Sequence, residues 1–190
     1  MIAGLVLAAG AGTRFSASSS KLLADLDGRP LVEHAIRAQC AVAELERVVV
    51  VLGAAAAEMI AKVDFGRAHP VLCPDWSRGQ AASLRCGVAA LAEAEKVIVT
   101  LGDAPGVTPE VIARFVGEPG GTRAVYDGRP GHPVVLGSAE LARVRELSGD
   151  HGARHLLLGP EIECSALCSG RDVDTPDDLE AMRSEARAVL

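Results

Sequence analysis

A chain of 190 residues is long enough for one domain with a substantial core. Its apolar fraction of 49% excludes an intrinsically disordered chain, and its aromatic fraction of 3% argues against a single-strand binder that stacks bases on aromatic side chains. The formal net charge of -6 likewise argues against a nucleic-acid backbone as the main partner.

Strand-like apolar runs alternate with helical periods along the chain. In chain order the sequence predicts a strand at 2–7, a helix at 31–40, a strand at 47–52, a helix at 54–63, a strand at 70–73, a helix at 80–91, a strand at 96–101, a helix at 109–116, strands at 122–126 and 132–136, a helix at 139–147, a strand at 161–167 and a helix at 176–188. This alternation predicts an α/β fold in three layers, a mostly parallel sheet with helices on both faces, in one domain over residues 1–190.

Ligands of such a sheet bind beyond the carboxyl ends of its strands. The residues that follow Leu7, Cys73 and Leu101 are therefore the first candidates for a functional site.

The cysteines and the apolar runs predict a cytoplasmic protein. The five cysteines are odd in number and form no C-x-x-C pair, which favours reduced thiols: Cys40, Cys73, Cys86, Cys164 and Cys168. No apolar run approaches the ~20 residues that span a bilayer, and residues 1–4 lack a charged segment and enter a strand at once. We expect no signal peptide and no membrane partner.

A glycine-rich loop follows the first predicted strand. The sequence from residue 5 to residue 15 is LVLAAGAGTRF, and five Ser and Ala residues then lead to Lys21. Small residues allow backbone N–H groups to approach phosphates, while Arg14 and Lys21 can neutralise their charge. This segment is typical of a polyphosphate site.

Other interpretations of this loop are open. A Walker A loop needs Gly-Lys-Ser/Thr, but Lys21 is followed by Leu22 and has no glycine before it. A dinucleotide loop needs a third small residue where Phe15 stands, and an acidic residue after the next strand, which ends at Leu52 and Gly53. A tight turn with exposed cations is the simplest alternative.

The pattern L-A-A-G-x-G-T-R-x(6)-K resembles the signature of the nucleotidyltransferases that load CTP or GTP onto molybdopterin, in the MobA-like NTP transferase family. The match continues through residues 22–34. The resemblance implies that Arg14 and Lys21 grip the phosphates as catalytic residues. It also implies nucleotide contacts from Leu7, Ala8, Ala9, Gly10, Gly12, Thr13, Arg14 and Lys21.

A carboxylate ends the predicted strand at 96–101. Thr108 and Pro109 already provide an N-cap and a first helical residue for the next helix, so Asp103 is free for another role. Metal binding is the leading interpretation, because hard cations prefer oxygen ligands beside phosphates. In the resembled family, the Asp of the G-D-x-P motif holds Mg²⁺.

A second acidic segment precedes the last predicted helix. Thr175 and Asp178 have the spacing of a capping box, which leaves Asp174 outside the cap. By resemblance to the family motif D-I-D-T-P-E-D-L, Asp174 is the second metal ligand, with Asp172 as the reserve candidate. The simpler alternative is that both carboxylates only solvate a loop.

Further candidates come from segments that resemble other family motifs. Gly79 and Ser83 match the segment that meets the base and ribose, although Ser83 could equally lie on an ordinary helix face. His132 matches the acceptor side, or it only shapes a turn. His151 and His155 are spaced for a helical metal pair, but a solvated face is the better interpretation.

The resemblance covers nearly the whole chain in motif order. It implies a Rossmann-like, Mg²⁺-dependent nucleotidyltransferase that transfers CMP from CTP to molybdopterin and releases pyrophosphate, with a molybdoenzyme or accessory protein as partner. The Ala-Ala-Gly run at residues 8–10 favours the cytidylyl branch. The alternatives are a guanylyltransferase, transfer to another phosphorylated acceptor, a non-catalytic nucleotide-binding accessory protein, and a dinucleotide-dependent oxidoreductase.

Overall fold

The computed structural model describes residues 1–12, 15, 20–150 and 152–188. Its strands and α-helices are β1 (Ile2–Ala8), β2 (Asp25–Leu26), β3 (Arg29–Pro30), α1 (Leu31–Ala41), β4 (Arg47–Leu52), α2 (Ala56–Lys62), β5 (His69–Leu72), α3 (Gln80–Ala90), β6 (Lys96–Leu101), α4 (Pro109–Arg114), β7 (Arg123–Tyr126), β8 (Arg129–Leu136), α5 (Ser138–Arg143), β9 (Glu161–Glu163) and α6 (Pro176–Ala188). Short 3-10 turns lie at Lys21–Leu23, Trp76–Arg78, Val144–Glu146 and Ala153–His155.

The main sheet has the strand order β5-β4-β1-β6-β8-β7-β9. Strand β8 runs antiparallel to its neighbours β6 and β7, whereas every other neighbouring pair is parallel. The mostly parallel α/β sheet that the sequence predicts is therefore confirmed. Strands β2 and β3 form a separate antiparallel ribbon, which the sequence did not predict.

Apolar strands at the centre of the sheet are buried on both faces. Strand β1 lies between β4 and β6, with Leu5 in register with Val49 and Val99. Successive side chains point to opposite faces, so Val6 packs in the layer of α1, α2 and α4, whereas Leu5 packs in the layer of α3 and α5. Burial on both faces explains why these strands are continuous apolar runs.

Predicted boundaries agree where local signals are strong. The strands at 47–52 and 96–101 and the helix at 176–188 have the predicted bounds. Thr108 Oγ1 accepts the N-cap hydrogen bond from Val111 N at 3.4 Å. The capping box is also present, because Thr175 N donates to Asp178 Oδ2 at 2.7 Å and Asp178 N donates to Thr175 Oγ1 at 3.2 Å.

Several predicted elements are shorter than expected, among them the helices predicted at 54–63 and 109–116, which are Ala56–Lys62 and Pro109–Arg114. The last strand ends at Glu163, because Ser165 N donates to Glu163 Oε1 at 2.9 Å and folds the chain into a turn. The predicted helix at 139–147 divides into α5 and the 3-10 turn Val144–Glu146.

The strand order places a crevice beside β1. The chain moves outward from β1 to β4 and β5, and then returns to β6 on the other side of β1. Gly102 N donates to Leu7 O at 2.9 Å, so the loops after β1 and β6 begin next to each other. Such a switch point is where open α/β sheets bind ligands.

Among the residues that the structure describes, every helix is too short or too polar to cross a membrane.

Arg67 fastens the end of α1 to the segment that follows α2. Its guanidinium donates to the carbonyl oxygens of Cys40 at 2.8 Å, Val42 at 2.9 Å and Leu45 at 2.7 Å. Carbonyl groups at a helix C-terminus lack intrahelical partners, and a cationic side chain satisfies them favourably.

We expect Arg67→Ala to lower the free energy of unfolding by about 1.5–3 kcal/mol, because it removes charge-assisted hydrogen bonds to carbonyl groups. Urea unfolding measures the change. Lys62→Ala is the control, because its 3.4 Å pair with Glu58 is exposed and we expect a change within about 0.5 kcal/mol. Equal losses in the two variants would contradict the assignment.

Candidate active site

A cluster of one ammonium group and two carboxylates lies at the carboxyl ends of β1 and β6. Lys21 Nζ is 2.6 Å from Asp103 Oδ2 and 3.0 Å from Asp174 Oδ1. The side chains of Lys21, Asp103 and Asp174 are 11%, 22% and 40% exposed. Because the cluster is partly buried, its charges interact more strongly than those of surface pairs.

Three separate segments build this cluster. Lys21 begins a 3-10 turn, Asp103 follows β6, and Asp174 lies 153 residues after Lys21 and precedes α6. Val173 N donates to Asp103 O at 2.8 Å, which joins the two acidic segments through the backbone. The structure thus brings together the predicted cation and both predicted metal ligands.

Gly12 makes room for the stem of Lys21. Its φ is +59°, and a Cβ at this position would lie 2.9 Å from Lys21 Cγ. Glycine adopts this backbone conformation readily and leaves the space free. The predicted residues Thr13 and Arg14 lie outside the described residues.

Charge and burial act against each other in the cluster. Burial alone would lower the pKa of Lys21, but the charges and hydrogen bonds of Asp103 and Asp174 outweigh it and hold the pKa above the usual 10.5. Burial, together with the negative charges of Asp103 and Asp174, raises the pKa of Asp172 to about 7. The carboxylates around Lys21 therefore carry more negative charge than one ammonium group neutralises.

The first of two adjacent cavities has a volume of about 390 Å³, and we call it the glycine-loop cavity. It is lined by Leu7, Ala9, Gly10, Ala11, Trp76, Ser77, Gly79, Gln80, Ser83, Leu101, Asp103 and Asp150. Five of the ten predicted nucleotide contacts thus share one cavity: Leu7, Ala9, Gly10, Gly79 and Ser83. The side chain of Ala8 instead packs in the core, so only the backbone of Ala8 is available to a ligand.

The second cavity, of about 310 Å³, contains His132 and is called the histidine cavity. Its wall combines apolar side chains with the polar groups of Arg123, His132, Arg154 and Asp172. Leu7, Gln80 and Asp150 line both cavities. Two ligands could therefore lie side by side with only these residues between them.

His132 is neutral at physiological pH. Burial lowers its pKa to about 4, although the negative charge of Asp103 opposes this shift. Tyr126 Oη donates to His132 O at 2.6 Å and fixes the backbone at this position. A neutral imidazole can donate one hydrogen bond and accept another.

The sequence interpretation missed Gln80 and Asp150. Residues 147–150 lie over the start of α3, where Ala81 N donates to Gly149 O at 3.1 Å. A Cβ on Gly79, whose φ is +103°, would lie 2.5 Å from Gly149 O. Glycine at position 79 therefore allows a close contact with the backbone of Gly149 and also lines the cavity. No local sequence pattern could reveal the contact between Gly79 and Gly149.

His151 lies outside the described residues, so the spacing of His151 and His155 stays untested as a pair. Arg154 Nε donates to His155 Nε2 at 3.3 Å.

The two carboxylates at Lys21 fit a divalent cation that takes further ligands from a substrate. Over residues 1–12, 15, 20–150 and 152–188, no three His, Cys, Asp or Glu side chains converge to hold a metal ion. Mg²⁺ commonly uses one or two carboxylates plus phosphate oxygens. Asp103 and Asp174 supply two such groups, and both already contact a cation, the ammonium of Lys21.

A doubly wound sheet, a glycine-rich loop after its first strand and paired carboxylates at its switch point define a nucleotide-binding α/β protein. The chain belongs to the MobA-like NTP transferase family, whose domain model matches residues 4–163. The family resemblance that the sequence motifs indicated is confirmed, and with it the nucleotidyltransferase class.

Curated relatives include proteins with different names. The chain is 34% identical over 194 residues to nicotine blue oxidoreductase of Paenarthrobacter nicotinovorans, and the match covers 94% of each chain. It is 38% identical over 128 residues to the bifunctional protein GlmU of a Mycobacterium species, covering 63% of this chain and 25% of that relative.

Solved structures share the fold over nearly the whole length. Rv0371c from Mycobacterium tuberculosis is 27% identical, with a TM-score of 0.80 over 96% of this chain and 97% of that one. Its manganese complex is 25% identical, with a TM-score of 0.77 over 96% and 98%. A nucleotidyl transferase from Methanothermobacter is 23% identical, with a TM-score of 0.83 over 100% and 99%.

We expect His132 to stay neutral from pH 5 upward, because burial disfavours its charged form and sets its pKa near about 4. Imidazole chemical shifts followed by NMR against pH measure this value. His69, an exposed residue of the edge strand β5, is the internal control. A His132 transition near the unperturbed value of about 6.5 would contradict the burial argument.

Proposed function

We propose that the protein transfers a nucleoside monophosphate from a nucleoside triphosphate to a phosphorylated acceptor, with Mg²⁺, and releases pyrophosphate. The preferred substrates are CTP and molybdopterin, a phosphorylated pterin. The cluster of Lys21, Asp103 and Asp174 beside two adjoining cavities is the observation that carries the proposal.

The triphosphate lies along the glycine-loop cavity in this proposal. Backbone groups of Leu7, Ala8, Ala9, Gly10, Gly12 and Thr13 approach the base and phosphates, and Gly79 and Ser83 border the base and ribose. Support comes from the family motif and from the shared lining of Gly10, Gly79, Ser83 and Asp103. Lys21, whose raised pKa keeps it protonated, neutralises the phosphate charge together with Arg14.

Asp103 and Asp174 would hold the divalent cation, with Asp172 in reserve. When bound, Mg²⁺ supplies charge neutralisation and orientation of the triphosphate oxygens. The proposal is supported by the two oxygen ligands that meet at Lys21 and by the manganese complex of Rv0371c.

The acceptor occupies the histidine cavity in this proposal. Its terminal phosphate oxygen attacks the α-phosphorus of CTP, a new phosphorus–oxygen bond forms, and the bond to pyrophosphate breaks. Because both reactants are anions, the protein acts by positioning and charge neutralisation, without a protein nucleophile. Neutral His132 gives the acceptor a hydrogen bond without adding a charge to this cavity.

The choice of CTP and molybdopterin depends on the Ala-Ala-Gly run at residues 8–10 and its likeness to the cytidylyl branch. We place all of residues 1–190 in one domain that carries both cavities. We also propose a cytoplasmic location, with a molybdoenzyme or accessory protein receiving the product. The five cysteines are free thiols, which suits a reducing compartment.

A second candidate is a nicotinamide-dependent reductase. The specific observation is the relative that is 34% identical over nearly its whole length and is named an oxidoreductase. Two adjoining cavities could also accept a reduced dinucleotide and a second substrate. The glycine-rich loop suits the phosphates of a dinucleotide as well as those of a nucleoside triphosphate. The Lys21 cluster, however, favours a substrate that brings a metal ion and free phosphates.

The two candidates differ in their products. With Mg²⁺ and molybdopterin, we expect pyrophosphate from CTP in preference to GTP, ATP and UTP, measured by a coupled phosphate assay. NADH consumption with nicotine blue, the compound in that relative's name, is followed at the same time by absorbance. If NADH is oxidised and no triphosphate yields pyrophosphate, the transferase proposal is wrong and the reductase is the better candidate.

We expect Lys21→Ala and Asp103→Asn each to lower kcat/KM by about 10²-fold or more, because each removes charge stabilisation at the phosphates. Thermal unfolding checks that both variants fold, and pyrophosphate release measures turnover. Lys62→Ala, which alters an exposed pair on α2, is the control and should retain activity. Near-normal turnover of Lys21→Ala would refute the assignment.

A further inference from the structure

The ammonium group of Lys21 occupies the position between two carboxylates that a divalent cation would need. Asp103 Oδ2 and Asp174 Oδ1 both contact Nζ, at 2.6 Å and 3.0 Å. An ammonium group and a metal ion cannot both lie between the same oxygens at contact distance. Among the residues that the structure describes, Lys21 therefore places a cation between these two oxygens.

The surrounding structure holds the two carboxylates ready for a cation. Val173 N donates to Asp103 O at 2.8 Å, and Asp174 N donates to the capping carboxylate of Asp178 at 3.0 Å. These backbone bonds do not involve Lys21, so they remain if the ammonium group leaves. The backbone that carries the two carboxylates is thus held by the fold, and the cation can be exchanged.

Lys21 is able to leave, because its ammonium group is at the end of a flexible four-carbon stem. The stem lies beside Gly12, where an added Cβ would be 2.9 Å from Lys21 Cγ. Asp103 is also part of the wall of the glycine-loop cavity, so a short movement of the ammonium group reaches the space next to it.

We propose that Lys21 is a built-in substitute for the metal ion: the incoming metal displaces its ammonium group from Asp103 and Asp174 onto the triphosphate. This inference deepens the proposed function and depends on it. Displacement by the metal alone costs two ion pairs and gives the ammonium group no phosphate to bind in exchange. Displacement by the metal together with a triphosphate supplies new partners. Metal ion and triphosphate therefore bind cooperatively through Lys21.

The same reasoning predicts weak binding of the metal alone. If the two carboxylates are free of Lys21 for about a tenth of the time, the apparent dissociation constant for the metal is raised about tenfold. Removing the ammonium group removes this competition.

The experiment measures Mn²⁺ binding to the full chain without nucleotide, by the EPR signal of free Mn²⁺. We expect Lys21→Met to bind Mn²⁺ about tenfold more tightly than the natural protein, because the stem is kept and the competitor is lost. Lys62→Met is the matched control, since it removes a lysine from an exposed pair with Glu58, and we expect no change. Adding Asp103→Asn to Lys21→Met should abolish the gain.

A second readout separates displacement from a general effect of charge. The ammonium ¹H–¹⁵N signal of Lys21 should be visible in the natural protein and should shift or disappear at saturating Mg²⁺. The inference is overturned if the Lys21 signal does not change at saturating Mg²⁺. It is also overturned if folded Lys21→Met binds Mn²⁺ no more tightly than the natural protein.

These outcomes distinguish the inference from the proposed function. If Asp103→Asn in the natural background weakens Mn²⁺ binding but Lys21→Met does not strengthen it, only the displacement is wrong. If Asp103→Asn has no effect on Mn²⁺ binding, the metal site itself fails, and the displacement fails with it.

Discussion

The positive charge of Lys21 must be neutralised inside a partly buried crevice, and this requirement ties together distant parts of the chain. Its partners follow β6 and precede α6, so the glycine-rich loop, the centre of the sheet and the C-terminal helix meet at one ammonium group. The capping box of α6 and the bond from Val173 to Asp103 set the carboxylates in place. Folding thereby assembles a charged site where the sheet already offers a crevice.

The arrangement of the cavities is compatible with chemistry on two ligands. Gln80 and Asp150 form the wall between the cavities, and both depend on the contact of residues 147–150 with the start of α3. One relative is named an oxidoreductase and one solved structure is named a nucleotidyl transferase, and both match nearly the whole chain, which agrees with the general rule that fold does not dictate function. Specificity must therefore reside in the groups that line the two cavities.

Charged groups surround both cavities. Near Lys21, burial and the negative charges of Asp103 and Asp174 raise the pKa of Asp172 to about 7. This concentration of negative charge favours a divalent cation or a cationic side chain. In the histidine cavity, burial keeps His132 neutral, and the wall includes both Asp172 and Arg154. An acceptor there would thus meet a neutral imidazole between groups of opposite charge.

The sequence by itself determined the elements whose signals are local. Apolar runs define β4 and β6, and Thr108, Thr175 and Asp178 mark helix starts, because a strand's burial and a cap's hydrogen bonds act within a few residues. Family motifs also indicated Lys21, Asp103 and Asp174. Only the tertiary structure decided that these three meet, that β8 is antiparallel, and that residues 149–150 cover Gly79 and bring in Gln80 and Asp150. Such contacts join residues far apart in the chain, and their energy depends on packing that no local pattern encodes.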